Sequence, residues 1–423
     1  MENFIDYFNW TIFVLFVVFY AYQAFYIIVA LSKKSIKHKA EKEHKYAAVI
    51  AARNESAVIK YLIDSIRAQD YPKDKLSVFV VADNCTDDTA QVARDAGAIV
   101  YERFDNKLVG KGYALDYIFR KIEEDHGDEG IEAYMVFDAD NLLAPGFIRA
   151  MNDEYDAGYK VLTSYRNSKN YGSNWISAGY SLWYLRESVY LNNSRMILGT
   201  SCAISGTGFL VDAELIRNQG GWIHHLLTED IEFSTDCILH DIKIGYCADA
   251  MVYDEQPITF EQSWKQRLRW SKGFYQVFGH YSLGLIKNIF KKKRFACYDM
   301  LMTLTPAVFV TLGSLLFNGI IALYALYDFQ SMKHILPIAL QAIGAALMNG
   351  YLTLFIVGAL TTFTEWKKFS CPAIKKILYM FTFPIFIYTY VPISIVALFK
   401  KVHWAPIKHQ VACSVDEVCR ENA

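Results

Sequence analysis

Ala133-Tyr134-Met135-Val136-Phe137-Asp138-Ala139-Asp140 is a short apolar run that stops at two carboxylates. A run of this length, bounded by charge, reads as a buried strand. The two acids, at i and i+2, lie on the turn that leaves the strand. There both can reach one hard cation such as Mg2+ or Mn2+ and keep coordination positions open for phosphate oxygens. An ordinary acidic turn has the same spelling, so the neighbouring sequence decides between the two.

Upstream lie further apolar runs at Tyr46 to Ala52, at Leu76 to Ala82 followed by Asp83-Asn84, and at Ala98 to Tyr101. Between them Ser56 to Ala68 has helical spacing. Thr86-Asp87-Asp88-Thr89 sets acids at the positive end of a following helix, and Gly110-Lys111-Gly112 opens a helix that runs to about Glu124. Strands alternating with helices predict an α/β fold whose mostly parallel sheet is covered on both faces. Ligands of such sheets bind beyond the C-terminal strand ends, where Asp83 and Asp140 fall. Asp83 can accept from a nucleobase or ribose, or simply cap a turn. Lys111 can approach a pyrophosphate beside helix N–H groups. The P-loop spacing and the GxGxxG fingerprint are both missing, which disfavours those nucleotide folds. The acids between Lys121 and Glu132 read as a solvated helix end and loop.

Downstream, Thr228-Glu229-Asp230 precedes the apolar Ile231 and Phe233. A carboxylate against apolar neighbours can take a proton from a hydroxyl. The alternative is a helix-start acid, although Thr228 is the more natural cap by spacing. Further on, Gln266-Arg267-Leu268-Arg269-Trp270 places Gln266 and Arg269 on one helix face with Trp270 beside it. An Arg there can neutralise a diphosphate and an indole can stack on a sugar. An interfacial helix with a snorkelling Arg has the same pattern.

The chain has 423 residues, 53% of them apolar and 21% charged, with a net charge of -1. That balance gives no case for binding nucleic acid. The apolar excess is local. Residues 9 to 31 are long enough to cross a bilayer, and Lys33, Lys34, Lys37 and Lys39 follow at once. Further apolar stretches lie near 300 to 327, 335 to 361 and 377 to 399, the last interrupted by Pro384 and Pro392. Basic residues at Lys291-Lys292-Lys293-Arg294, Lys367-Lys368 and Lys375-Lys376 flank them. The positive-inside rule predicts a multi-pass cell-membrane protein with an outside N-terminus and a cytosolic middle domain. It leaves open whether the last stretch crosses or bends back. The eight Cys form no CxxC pair, which speaks against a zinc site or disulfide framework.

The ordered set Asp83, Asp138-Ala139-Asp140, Thr228-Glu229-Asp230 and Gln266 to Trp270 resembles the processive inverting family 2 glycosyltransferases. These include cellulose, chitin, hyaluronan and poly-N-acetylglucosamine synthases, and the layout is most similar to the nodulation chitin-oligosaccharide synthases. The resemblance runs from about Ala47 to Gly273. It implies a GT-A type nucleotide-sugar-binding domain at 46–260, between an N-terminal transmembrane helix at 1–32 and an interfacial region at 261–294. A membrane region of about three apolar segments at 297–400 and a tail at 401–423 complete the layout.

The resemblance also implies roles. Ala51, Arg53, Glu55, Asp83, Lys111 and Asp138 would bind nucleotide, and Asp140 a Mg2+ or Mn2+ ion. Asp230 would be the catalytic base. Glu229, Gln266, Arg269, Trp270, Gly206, Thr207 and Gly208 would line the diphosphate and acceptor. Two departures stand out: Ala82 replaces one acid of a double acid in some members, and Ala203-Ile204-Ser205 replaces an aromatic-rich acceptor segment. Trp404-Ala405-Pro406-Ile407-Lys408-His409 resembles a tail motif of some bacterial members, which favours a cytosolic C-terminus. The implied partners are a UDP-sugar donor, a polysaccharide or lipid-linked acceptor, and membrane lipids. Polymer extension leads, single-sugar transfer to a lipid is the alternative, and a nucleotide-sensing membrane protein is a third possibility.

Overall fold

The computed structural model describes residues 2–422 except 293, 305, 328, 370 and 408, so Lys293 and Lys408 lie outside the described residues. An eight-stranded sheet has the order β3-β2-β1-β4-β7-β6-β8-β5. The strands are β1 (Tyr46–Ala52), β2 (Leu76–Asp83), β3 (Ile99–Arg103), β4 (Ala133–Asp138), β5 (Leu142–Leu143), β6 (Val161–Ser168), β7 (Phe209–Asp212) and β8 (Ile244–Asp254). The four strands expected from the sequence pair in parallel. The second half of the sheet is mixed, because β7 runs antiparallel to both β4 and β6 while β6 and β8 are parallel.

Strand alternation assigns the faces. Ala47, Val49, Phe79, Val81, Tyr134 and Val136 pack with Leu115, Ile118 and Phe119 of helix Lys111–His126. Ala48, Ile50, Val80, Met135 and Phe137 pack with helices Ile59–Arg67 and Phe147–Asp156 on the other face. Side chains two residues apart share a face. Ala51, Asp83 and Asp138 therefore continue the first face, the one that carries Lys111.

Among the described residues, three helices are long and apolar enough to cross a membrane, or four if a pair bent by 46° counts as one span. The three are Asn3–Ser32, Lys333–Thr364 and Ala373–Phe399, and the bent pair is Phe295–Leu304 with Phe309–Ala325. Helix Phe260–Lys292 links the sheet domain to this region and carries Gln266 to Trp270. Its end exposes Leu283 and Phe290.

The last apolar segment starts against the sheet domain and finishes against helix Phe260–Lys292. At its start the Lys375 Nζ donates to the Gly172 carbonyl at 3.1 Å. At its end the Ala397 carbonyl accepts from Lys272 at 3.0 Å and the Ser394 carbonyl from Tyr275 at 3.2 Å. It is broken at Thr389 into helices Ala373–Tyr388 and Tyr390–Phe399. Arg267 binds this break, with Nη1 donating to the Phe386 carbonyl at 3.0 Å and to Thr389 Oγ1 at 2.6 Å. The tail then packs on the sheet domain, His409 against Glu55 and Gln410 against Glu255.

Candidate active site

Three adjacent strand ends and one helix start build the centre. Lys111 is the first residue of its helix, after Gly110 at φ 144°. Its Nζ donates to Asp138 Oδ1 at 2.5 Å and to the Gly206 carbonyl at 2.7 Å. Burial opposes its charge, but Asp138, Glu229 and Asp230 together hold the ammonium above its usual pKa.

The antiparallel entry of β7 brings Gly206-Thr207-Gly208 to the same place. Gly208 donates its N–H to the Val136 carbonyl, and the Asp138 N–H donates to Thr207 Oγ1 at 2.9 Å. A side chain at Gly208 would meet Ser164 and Val252, and its φ is +63°. This loop therefore needs a residue without Cβ for two separate reasons.

Asp230 lies across Gly206 from this pair: a Cβ at Gly206 would stand 3.7 Å from Asp230 Oδ2 and 3.5 Å from Arg166 Nη1. Asp230 and Glu229 begin helix Glu229–Leu239. Thr228 does hold the N-cap position, but its hydroxyl makes no cap hydrogen bond and is a buried atom without a partner among the described residues. Burial raises the Asp230 carboxyl, against the pull of the Ile231 N–H, Lys111 and Arg166. Burial and then Asp230 push Glu229 up to about 7. A carboxylate poised this way can accept a proton near neutral pH.

A second cluster surrounds the acids from β1 and the turn after β4. Asp140 is buried, and its Oδ2 accepts the Glu255 N–H at 2.8 Å. Burial works against its charge, yet His409, Lys169 and that N–H hold its carboxyl below the usual range. His409 Nδ1 bonds Glu55 Oε1 at 2.9 Å. Burial lowers the imidazole, but Asp140, Glu55 and Glu255 overcome it and bring His409 to about 10. The backbone N–H groups of Gln410 and Val411 donate to Glu255. Above them Trp404 lies between Arg53, 5.3 Å from its ring centre, and Arg269, 5.9 Å away.

The remaining expected residues fall at the rim. Asp83 is buried and accepts from Arg103 Nη1 at 2.6 Å. Gln266 Oε1 and Trp404 Nε1 are buried without partners among the described residues. Trp270 packs edge-on to Tyr180 and Tyr184, at 5.7 and 6.3 Å between ring centres. Ala51 is paired with Asp138 in register.

Sequence reasoning passed over Arg103, Arg166, Asp254 and Glu255. Arg103 stands opposite Asp83 in strand register, so extending the third strand by two residues would have found it. Arg166 donates Nε to Asp254 at 2.7 Å and Nη1 to the Ser205 carbonyl at 2.5 Å, and lies 3.6 Å over Tyr184. It comes from a strand that the sequence did not reveal.

No group of three His, Cys, Asp or Glu among the described residues forms a complete metal cage. Asp138 and Asp140 suit a different kind of site. They offer hard oxygen ligands and leave the rest of the shell to phosphate oxygens and water, as Mg2+ and Mn2+ prefer.

A family model described as "Glycosyltransferase like family 2" matches residues 44–273, more than half of the chain. Among curated relatives, the Synechocystis beta-monoglucosyldiacylglycerol synthase is 26% identical over 55% of this chain and 48% of its own length. The Staphylococcus aureus poly-beta-1,6-N-acetyl-D-glucosamine synthase is 24% identical over 60% of this chain and 59% of its own length. The chain thus spans about half of these relatives. A Pyrobaculum calidifontis mannosyltransferase solved with GDP-Man and Mn2+ shares the fold, with a TM-score of 0.55 at 17% identity. That match covers 92% of this chain and 99% of the mannosyltransferase.

Proposed function

From the premise that the chain belongs to glycosyltransferase family 2, and is a glycosyltransferase, we propose that it moves glucose or N-acetylglucosamine from a UDP-sugar to an acceptor hydroxyl held at the membrane, with inversion at the anomeric carbon. The observation that carries this reading is the position of Asp230, across Gly206 from the Lys111–Asp138 pair. A base and a cationic cradle for a diphosphate then face the same small volume.

Asp230 takes the proton from the acceptor hydroxyl as its oxygen attacks the anomeric carbon. The bond to the UDP oxygen breaks on the opposite side, and Lys111 and Arg269 take up the charge gathering on the diphosphate. Asp83, fixed by Arg103, and Glu55 hold the nucleoside. Arg53 and Arg269, stacked on Trp404, close the diphosphate side, and Trp270 walls the acceptor. Asp140, with Asp138 beside it, would hold Mg2+ or Mn2+, which when bound neutralises diphosphate charge.

Chelation with EDTA should abolish UDP release and added Mn2+ should restore it. Asp140→Asn should raise the Mn2+ concentration giving half-maximal rate by about tenfold, the effect of losing about 1.4 kcal/mol of binding. Glu229→Gln supplies a separate test in the pH profile. A raised carboxyl must lose its proton before it can act, so activity should fall on the acid side at a pH above the ordinary carboxylate range of about 4. Removing the like charge beside Asp230 should move this acid limb to lower pH. An unmoved limb would mean the pair is not what titrates.

We place the sheet domain in the cytosol. We take the N-terminal helix, the bent pair and the long helix after it as crossings and lay the last segment along the interface, since its two ends contact Gly172 and helix Phe260–Lys292; the lysines on both its sides then stay cytosolic. Three crossings give little wall for a polymer channel, and this favours a lipid acceptor. The Gln266 to Trp270 motif supports polymer extension as the second reading. Incubation with UDP-glucose, UDP-N-acetylglucosamine and a GDP-mannose control, with lipid and saccharide acceptors, separates them by product mass. One added hexose on lipid supports the first reading and a ladder of masses the second.

A further inference from the structure

A guanidinium stands between the candidate base and the N-terminal apolar helix, outside the machinery described above. Arg186 closes helix Trp175–Arg186 and is half-buried. Its Nη2 donates to Gln23 Oε1 at 2.7 Å, and its guanidinium carbon lies 4.8 Å from the centre of the Trp183 ring. Gln23 belongs to the helix Glu2–Ser32. The acids nearby are engaged elsewhere: Asp299 accepts from Arg195 at 2.7 Å through both oxygens, and Asp254 accepts from Arg166. Glu187 is the nearby acid that most favours the Arg186 cation, but its Oε2 is engaged by Ser205 Oγ at 3.1 Å and makes no direct ion pair with the guanidinium. Among the described residues Arg186 forms no ion pair.

The local backbone marks this wall further. Glu187–Asn192 is a π-helical turn, a form concentrated at functional sites. Ser205 precedes Gly206, which adjoins Asp230. Gln23, Arg186, Glu187 and Ser205 thus make a polar track from the membrane helix to the candidate base. A cation left beside an apolar helix is costly unless an anion completes it. Basic pockets beside membrane helices suit phosphate headgroups, and a planar guanidinium fork matches two phosphate oxygens at once.

We propose that Arg186, with Gln23, Trp183 and Glu187, forms a headgroup subsite for a phosphate-bearing membrane lipid whose headgroup also carries a free hydroxyl. The phosphate sits on Arg186, and the hydroxyl passes Glu187 to reach Asp230. This rests on the lipid-acceptor reading of the same site.

The test uses the purified full-length protein in neutral detergent. Spin-labelled phosphatidylglycerol is titrated against it, with diacylglycerol as the neutral lipid and glycerol 3-phosphate as the soluble phosphate. Phosphatidylglycerol should bind about tenfold or more tightly than diacylglycerol, the scale of one charge-assisted hydrogen-bonded contact. Arg186→Gln should remove most of that preference. Gln23→Glu should do the same, by setting a carboxylate against the guanidinium from the membrane helix and leaving Arg186 itself in place. Equal binding of the two lipids, or a preference kept in Gln23→Glu, overturns the proposal. Glycerol 3-phosphate binding as tightly as phosphatidylglycerol overturns the lipid as its source. UDP binding by the same preparations keeps the two levels apart. UDP binding with no lipid preference sinks the headgroup subsite alone, whereas a parent protein that binds no UDP sinks the transferase reading beneath it.

Discussion

Asp230→Asn is expected to lower kcat by about 10²- to 10⁴-fold, the span usual for a positioned general base, while UDP continues to bind. The substitution keeps the volume and the helix start but takes away the proton acceptor. Nothing else near Gly206 replaces it well. Asp138 is tied to Lys111 and to the loop at Gly206, and Glu229 does not share the position of Asp230 beside Gly206. Single-turnover sugar transfer, compared with UDP binding by calorimetry, separates the two effects. Loss of UDP binding in step with transfer would make Asp230 a donor-site residue and leave the base unassigned.

Lys111→Gln is expected to lower kcat/KM by about 10²- to 10³-fold. Truncating one partner of a buried, hydrogen-bonded charge pair costs about 2–5 kcal/mol, and each 1.36 kcal/mol is tenfold in rate. Lys111 is the cation that balances Asp138, Glu229 and Asp230 within one pocket. Its loss should therefore weaken UDP binding and also raise the carboxyls, so the acid limb of the pH profile should shift upward. This double signature distinguishes it from Asp230→Asn, which leaves nucleotide binding in place. Unchanged UDP affinity in Lys111→Gln would mean the ammonium serves only the fold.

The face of the sheet that carries the candidate site follows from alternation already present in the sequence. Val49, Val81 and Val136 point toward the Lys111 helix, so Ala51, Asp83 and Asp138 do as well. Continuous apolar runs made β1, β2 and β4 readable. β6 was not, because its second half is Tyr165-Arg166-Asn167-Ser168, polar residues made useful by burial against β8 and the Ser164/Tyr165 register shift. Arg166 went unnoticed for that reason. The tail was legible as a motif and not as a wall of the site. Trp404 and His409 reach Arg53, Arg269 and Glu55 after an apolar segment that is interrupted at Thr389 and packs along helix Phe260–Lys292. Arg267 binds that interruption, packed against Tyr180, Phe386 and Tyr390 from distant parts of the chain. Periodicity within the segment does not encode it.

The most direct test of the account is the anomeric configuration of the first product. The purified protein is given an α-linked UDP-sugar, Mn2+ and a membrane-lipid acceptor, and the new glycosidic bond is read by proton NMR. One displacement driven by Asp230 predicts a β-linked product that disappears in Asp230→Asn. An α-linked product, or a β-linked product formed at the parent rate by Asp230→Asn, would contradict it.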